Sequence, residues 1–324
     1  MSIMTYREAI NAALAEELAR DETVFLLGED VGKFGGPFAV TKGLYDRFGG
    51  RRVMDTPISE SAIIGGALGS ALTGLRPIAE IMYIDFTAVC FDQIINQVAK
   101  IRYMLGGQVK VPLVIRTTCG AGRSNAAQHS QSLEALFVHL PGIKVVMPST
   151  PYAAKGLLKS AVRDDNPVMF IEHRLLYNEK GEVPEEEYLI PLGKAALVSE
   201  GNDLTMVAHS RQVMFAQKAA ARLAGEDISV ELIDLQSLNP LDWDAVETSV
   251  RKTGRLVTVE EGYERCGIGA EIAAHIGNVT FEYLDAPVER VAGLNCPVPF
   301  NRGLESTVIP GEDRIVAAAR KVLQ

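Results

Sequence analysis

Apolar residues along the first half of the chain alternate between two spacings. Ile10, Leu14 and Leu18 recur at the interval of one helical turn. Thr5 and Glu8 fit a capping box at the start of that helix. Short continuous apolar runs, typical of buried strands, follow between further stretches of helical spacing. The pattern predicts strands at 24–27, 76–82, 112–116, 144–147 and 168–172, and helices at 88–104, 133–139 and 152–163.

The alternation stops at residues 178–191 and then resumes. This stretch, NEKGEVPEEEYLIP, is charged, contains two prolines and lacks apolar periodicity, so it is predicted to be a linker. We therefore predict one domain at 1–177 and another at 192–324. Both fall in the α/β class, each as three layers with a mainly parallel sheet between helices. The second half is predicted to hold strands at 204–208, 230–235, 256–259 and 288–291, and helices at 213–223, 242–251, 270–275 and 313–322.

Composition narrows the classes of function. The chain has 324 residues, a net charge of −9 and a pI near 5.2. Nucleic acids and anionic membranes require clustered Lys and Arg, so neither is an expected partner. The longest apolar stretch, 62–75, contains four glycines and is too short to span a bilayer. Without a signal-peptide pattern or a CxxC pair, we expect a cytoplasmic protein with reduced cysteines.

Two segments near predicted strand ends are candidates for chemistry. Gly120-Ala121-Gly122 resembles the start of a dinucleotide fingerprint, but a third glycine and the acidic residue after the next strand are missing. A glycine-rich turn is the better interpretation. His129 lies between this turn and a predicted helix, where α/β proteins keep catalytic residues, although a lone histidine is more often structural. No two histidines have zinc-ligand spacing.

The segment 55–61 leads into a helix of small residues. Pro57 favours an extended residue before it, and Ser59 fits an N-cap. Glu60 then falls in the first helical turn, where a carboxylate complements the helix dipole and a purely structural role is the simpler interpretation. The glycines that follow lower helix propensity, which is tolerated where another backbone or a ligand approaches closely. We expect a tight helix–helix contact there, within the chain or across a subunit boundary.

Seven segments together carry a resemblance that covers nearly the whole chain. They are DTPISE (55–60), GLRPIAEIM (74–82), FDQIINQVAK (91–100), RYMLGG (102–107), AAQHSQ (126–131), GIKVVMPSTPYAAKGLLKSAVRDDNPV (142–168) and VTVEEGYERCGIGAEI (257–272). They are similar to the β subunit of pyruvate dehydrogenase and its relatives, which are thiamin-diphosphate-dependent enzymes of the transketolase-like family. Taken together, these segments indicate this family far more specifically than any one of them does alone.

The resemblance implies a fold and a set of partners. A pyrimidine-binding α/β domain would be followed by a transketolase C-terminal-type domain. The chain would form an α2β2 heterotetramer whose α subunit holds the diphosphate of the cofactor and Mg²⁺. This chain indeed lacks a Gly-Asp-Gly motif followed by Asn, and it lacks a Walker loop. A lipoyl-bearing acyltransferase core and a small 2-oxo acid complete the implied partners.

The resemblance also implies roles for single residues. Glu60 would hydrogen-bond the aminopyrimidine ring and so promote loss of the thiazolium proton. Away from water, the pKa of such a carboxyl group is expected to rise, so that it can share a proton. Phe86 would pack on the pyrimidine ring with Ile58 and Met82 lining the pocket, although ordinary core packing is the alternative for the latter two. His129 would orient the substrate or assist acyl transfer to a lipoyl arm.

A potassium site is implied as well, built mainly of backbone carbonyls. Its residues would be Leu113, Ala161, Val162, Asp164 and Asn166. Two departures from the family bear on the substrate. Val89 stands where pyruvate-type relatives can carry a polar residue, which leaves pyruvate and acetoin both open. Ala-Ala-Gln precedes His129 where branched-chain relatives often have further histidines, which disfavours branched-chain 2-oxo acids.

Oxidative decarboxylation of pyruvate is therefore our first hypothesis, and acetoin cleavage on the same scaffold is its rival. A non-catalytic scaffold subunit that binds the acyltransferase is a third hypothesis. The presence of Glu60, Phe86 and His129 argues against it, because an inactive homologue would lose nothing by losing them. A nicotinamide oxidoreductase would rest only on the turn at 120–122.

Overall fold

The computed structural model describes all residues, 1–324, and separates into two compact units. The first comprises Met1–Cys119 and Leu136–Leu192, and the second comprises Gly120–Ala135 and Gly193–Gln324. Nothing in the sequence indicated that 120–135 pack with the second unit. The domain limits of 1–177 and 192–324 stay a prediction. None of the helices has both the length and the apolar character that crossing a membrane requires.

The first unit is built around a parallel sheet. Its strands are β1 Ser2–Thr5, β2 Val24–Gly28, β3 Val53–Asp55, β4 Arg76–Tyr83, β5 Val114–Cys119, β6 Lys144–Val146, β7 Val168–His173 and β8 Lys180–Val183. Its helices are α1 Tyr6–Arg20, α2 Leu44–Phe48, α3 Glu60–Leu72, α4 Ile101–Met104, α5 Glu134–Val138 (which starts in the other unit) and α6 Pro151–Arg163. Two 3₁₀-helices span Ile84–Ala88 and Arg174–Leu176, and a π-helix spans Gln93–Val98.

Strand order in this sheet is β6-β7-β5-β4-β2-β3, with every neighbouring pair parallel. Strands β2, β5 and β7 are buried at every position, which explains their continuous apolar sequences. Outside the sheet, β1 pairs antiparallel with β8, with Ser2 opposite Val183. The predicted linker at 178–191 thus contains a strand that belongs to the first unit.

One ion network joins three adjacent strands of this sheet. The guanidinium of Arg116 on β5 is 2% exposed and donates to Glu80 on β4 at 2.6 Å and to Glu172 on β7 at 2.7 and 2.9 Å. Burial raises the pKa of Glu172, whose carboxylate also accepts from the Tyr177 hydroxyl at 2.7 Å. Removing one member of such a buried pair typically costs about 3–5 kcal/mol. The network therefore fixes how the central strands pair.

The helix predicted at the start of the chain is confirmed, whereas the helix predicted at 88–104 is not. Thr5 accepts from the Glu8 N–H and Glu8 accepts from the Thr5 N–H, which is the predicted capping box of α1. The single helix predicted at 88–104 is wrong. There the Ala99 N–H bonds to the Ile94 carbonyl at 3.0 Å, one residue further back than in an α-helix. That wider turn shifts the helical register, and only a short α-helix, α4, follows.

The second unit repeats the α/β pattern with a smaller sheet. Its strands are β9 Ala196–Ser199, β10 Leu204–Ala208, β11 Val230–Asp234, β12 Ser237–Asn239, β13 Leu256–Tyr263 and β14 Glu289–Gly293. Its helices are α7 Gln212–Ala224, α8 Trp243–Thr253, α9 Ile268–Val279, α10 Arg302–Val308 and α11 Glu312–Val322, with a 3₁₀-helix at Phe281–Tyr283. The sheet order is β14-β13-β10-β11-β9, and only β9 runs antiparallel to its neighbour. Helices α7 and α11 pack together over one face and bury its core.

Gly142 and Gly74 offer a matched test of close packing in the first unit. Both have a positive φ, +101° and +99°, but a Cβ on Gly142 would overlap the Ala99 carbonyl oxygen, whereas one on Gly74 would meet nothing within 4 Å. We expect Gly74→Ala to lower the free energy of unfolding by about 1–3 kcal/mol through backbone strain alone. Gly142→Ala should cost clearly more, because the clash adds to the strain. Equal losses in denaturant titrations would refute this account.

Candidate active site

Three parallel strands of the first unit end at one edge of the sheet. Strand β2 pairs with β3 on one side and with β4 on the other, so the residues that follow Gly28, Asp55 and Tyr83 lie along that edge. Ligands of open α/β sheets bind in the crevice beyond the carboxyl ends of the strands. The residues predicted to contact the cofactor lie at or just beyond these ends: Ile58, Glu60, Met82 and Phe86.

Glu60 is the first residue of α3 and is only 8% exposed. Ser59 occupies the predicted N-cap position, but its side chain makes no capping hydrogen bond. The Glu60 carboxylate itself forms no hydrogen bond or ion pair within the chain, although it lies in the first turn of a helix. A buried carboxylate usually has such partners, because desolvation without them is costly. Glu60 therefore has the free hydrogen-bonding capacity that recognition of a polar ligand needs.

Other titratable groups lie within the electrostatic influence of Glu60. Burial, and then the charges of Glu60 and neighbouring acids, raise the pKa of Glu29, which directly follows β2. Burial, and then Glu60, raise the pKa of the Cys90 thiol to about 12. Both pKa values rise because burial and the nearby negative charge of Glu60 disfavour the anionic forms of these groups.

Two aromatic rings meet at the end of β4. Phe86 lies half-buried in the 3₁₀-helix after β4, and its ring meets that of Tyr83 edge-on, with centroids 5.5 Å apart. The Tyr83 hydroxyl accepts from Arg174 at 2.7 Å. The Ser61 hydroxyl donates to the Val89 carbonyl at 2.9 Å, which ties the start of α3 to the segment that carries Phe86. These contacts fix Phe86 and Glu60 on the same local framework.

Two features at this edge remain open within the chain. Ile58 is 82% exposed and Val89 is 60% exposed. On the glycine-rich helix α3, a Cβ added to Gly66 or Gly69 would meet nothing within 4 Å. No helix of the chain therefore packs against those glycines. The helix–helix contact expected within the chain is therefore absent at Gly66 and Gly69.

His129 belongs to the second unit, whereas Glu60 and Phe86 belong to the first. It is half-buried in the segment 120–135, and its N–H donates to the Ala126 carbonyl at 3.5 Å. Ser124 and Ala126 have positive φ values of 56° and 61°. The loop that carries His129 is therefore conformationally constrained.

A buried polar cluster lies at the end of this segment. The His209 Nε2 is 3.3 Å from the Glu134 carboxylate, and both side chains are at most 3% exposed. Burial alone lowers the pKa of His209, but Glu134 reverses this and raises it. Burial also raises the pKa of Glu260 to about 7, although its carboxylate accepts two N–H groups at the start of α9, each at 2.8 Å. The sequence offered no sign of this cluster.

Of the five residues predicted to form a potassium site, four lie at or just after the end of α6 and one directly precedes β5. The five are Leu113, Ala161, Val162, Asp164 and Asn166. The Arg76 guanidinium donates to the Val162 carbonyl at 2.9 Å and to the Asp164 carbonyl at 2.7 Å, so a protein cation already occupies part of this set. The chain contains no group of three or more His, Cys, Asp or Glu side chains that could hold a metal ion.

Comparison with known families matches two consecutive segments of the chain. The family described as "Transketolase, pyrimidine binding domain" matches residues 2–180, and "Transketolase, C-terminal domain" matches residues 193–315. A solved structure, described as "Split gene transketolase, inactive beta4 tetramer", has a TM-score of 0.81 and 26% identity, covering 99% of this chain and 98% of that one. The predicted fold class, two α/β domains with mainly parallel sheets, is confirmed.

Relatives with known names are similar over the full chain. The β subunit of acetoin:2,6-dichlorophenolindophenol oxidoreductase from Bacillus subtilis is 49% identical, over 99% of this chain and 97% of its own. The pyruvate dehydrogenase E1 β subunit from Rhizobium meliloti is 47% identical, over 99% and 70%. The 2-oxoisovalerate dehydrogenase β subunit from Bacillus subtilis is 46% identical, over 100% of both chains. This chain belongs to the family of thiamin-diphosphate-dependent 2-oxo acid and acetoin dehydrogenase β subunits.

Sequence reasoning missed some acidic residues near the predicted site residues. Glu29 directly follows a predicted strand, so the rule that ligands bind at the carboxyl ends of parallel strands could have found it. Glu134, in contrast, gains its role from contacts with residues distant in sequence, and no local pattern could have indicated it.

The Glu260 cluster predicts a specific pH dependence. Its folded-state pKa of about 7 exceeds the ordinary 4.5, so the folded protein keeps a proton that the unfolded chain loses as the pH rises between these values. The free energy of unfolding should fall by about 3 kcal/mol across that window. The raised pKa of His209 acts in the same direction, at higher pH.

In Glu260→Gln, the free energy of unfolding should decrease less than in wild type between about pH 5 and about pH 7. Denaturant titrations at a series of pH values measure this difference. Glu271→Gln on the exposed face of α9 is the matched control and should behave as wild type. A Glu260→Gln profile parallel to that of wild type would show that Glu260 does not titrate in this range.

Proposed function

We propose that this chain is the β half of an enzyme that oxidatively decarboxylates a small 2-oxo acid, pyruvate first, and passes the acyl group to a lipoyl-bearing acyltransferase. The observation that carries the proposal is Glu60: a buried carboxylate without a partner in the chain, at the carboxyl edge of a parallel sheet. Phe86 lies on the same framework, so an acid and an aromatic face are available to a flat polar ring.

Thiamin diphosphate, when bound, supplies a nucleophilic carbon and an electron sink for bond cleavage next to a carbonyl. The residues of this chain fit its aminopyrimidine end. Glu60 would hold a proton opposite a ring nitrogen, at a position that is only 8% exposed. Phe86 would pack against the ring, while Met82 and Ile58 supply apolar walls. Without Glu60 the cofactor could still bind, but proton transfer would lose its carrier.

A partner is needed to complete the site. The chain carries no motif for a diphosphate and its Mg²⁺, which we assign to an α subunit in an α2β2 heterotetramer. The open face at Gly66 and Gly69 and the exposed Ile58 provide surface for such a partner. Because Ile58 would also line the pocket, subunit association would bury both together.

The choice of substrate rests on few residues. Ala126, Ala127 and Gln128, which precede His129, lack the additional histidines of branched-chain relatives, which disfavours branched-chain 2-oxo acids and leaves pyruvate as our first candidate. Acetoin cleavage is the second candidate, supported by the 49% identity to the acetoin enzyme. Potassium held by Leu113, Ala161, Val162, Asp164 and Asn166 would act as a structural brace that shares carbonyl oxygens with Arg76.

Replacing the acid tests the proposal directly. Glu60→Gln, co-expressed with its α partner, should keep the heterotetramer and bind thiamin diphosphate, but decarboxylate pyruvate at least about a hundredfold more slowly. Native mass, calorimetric cofactor binding and carbon dioxide release with pyruvate or acetoin measure the three properties. Glu22→Gln on the exposed surface is the control. Wild-type turnover by the Glu60 variant would exclude the assigned role.

The role of His129 is tested at the acyl-transfer step, which follows decarboxylation. His129→Ala should leave assembly intact and slow acylation of a lipoyl domain about a hundredfold, because a donor poised near neutral pH is lost. His139→Ala, at an exposed histidine outside the proposed site, should retain wild-type acylation. A His129 variant that fails to assemble would instead show that the residue is structural.

A further inference from the structure

The segment that carries His129 cannot hold its own shape through regular secondary structure. It begins directly after β5, and no strand or helix occurs before α5 starts at Glu134. Gly120 and Gly122 have φ values of 98° and 102°, and two non-glycine residues also have positive φ. Such a conformation persists only where surrounding contacts over-determine it. Side chains outside the segment must therefore supply those contacts.

Glu305 on α10 is the side chain that makes most of the contacts to the distorted backbone of this segment. Its Oε1 accepts the N–H groups of Gly122 at 2.7 Å and Arg123 at 3.2 Å, and its Oε2 accepts the Ser124 N–H at 2.9 Å. The side chain is 1% exposed. No Lys or Arg forms an ion pair with it, so these three N–H groups are the hydrogen-bonding partners that stabilise the buried charge. Three converging N–H groups form the kind of nest that elsewhere binds an anion.

Further hydrogen bonds hold both the helix that carries Glu305 and the loop that Glu305 contacts. Asn301 caps α10 by accepting the Gly303 and Leu304 N–H groups at 2.9 and 3.2 Å. On the loop, the Glu261 carboxylate accepts the Ala121 N–H at 2.7 Å and the Ser132 hydroxyl at 3.4 Å. The loop is therefore held on both sides of His129, and Glu305 holds its most distorted part.

We propose that Glu305 is a positioning residue that sets the location of His129 through the backbone of 122–124. The inference rests on the proposed role of His129 in acyl transfer. An anionic acceptor suits all three N–H groups, whereas a neutral amide presents one oxygen and turns an NH₂ donor toward the remaining N–H. Glu305→Gln should therefore release the loop without removing any group of the site itself. Glu305→Asp keeps the charge and should retain part of the function.

The test is a double-mutant cycle in the α2β2 assembly, with lipoyl-domain acylation from pyruvate as the readout. Glu305→Gln alone should lower the acylation rate about tenfold, and Glu305→Asp should lower it less. In a His129→Ala background, Glu305→Gln should cause no further loss, because residues that act through one another are not additive. Glu282→Gln, at an exposed acid of the same unit, should leave the rate unchanged in both backgrounds.

Amide hydrogen exchange supplies a readout that does not depend on activity. In Glu305→Gln, the amides of 122–124 should exchange faster, while those of 268 and 269, held by Glu260, should not change. Equal fold-losses from Glu305→Gln in both backgrounds, or unchanged exchange at 122–124, would overturn the proposal. If wild type acylates no lipoyl domain while exchange responds as expected, the proposed function fails and the loop contact stands.

Discussion

Parallel pairing of β3, β2 and β4 is the constraint on which the candidate site depends. Because the three strands run in one direction, the residues after them are delivered to one edge, although Glu29, Glu60 and Phe86 are far apart in the sequence. The buried Arg116 network holds the neighbouring strands β4, β5 and β7 to that arrangement. A change in strand order would separate Glu60 from Phe86 even if every helix still formed.

Some buried carboxylates of this protein have hydrogen-bond partners within the chain, and Glu60 does not. Glu260 and Glu305 each accept backbone N–H groups, so the protein itself stabilises them. Glu60, which is 8% exposed against 1–2% for those two, lacks any such partner in the chain. The hydrogen-bonding capacity of Glu60 is therefore left for a ligand. This contrast separates the acid proposed to act on a cofactor from those that build the scaffold.

The same reasoning applies to the surface of α3. Gly66 and Gly69 lower helix propensity, and a side chain at either position would meet nothing within 4 Å inside the chain. Together with the exposed Ile58, they describe a surface suited to association with another chain. The proposed split of the cofactor site between two subunits accounts for both features, since association would bury them and complete the pocket.

The sequence by itself determined the α/β class, the capped start of α1, most strand positions and the family to which the chain belongs. These follow from local periodicity, from capping chemistry and from motifs that are contiguous along the chain. It failed at 88–104, where a π-helical turn changes the register, and it did not show that 120–135 pack with the second unit. Only the tertiary structure decided the partners of Glu305, His209 and Arg116, because each meets groups far away in sequence. Side-chain type can suggest what a residue is able to do, but burial and long-range contacts decide whether its hydrogen-bonding capacity is used inside the chain or left for a ligand.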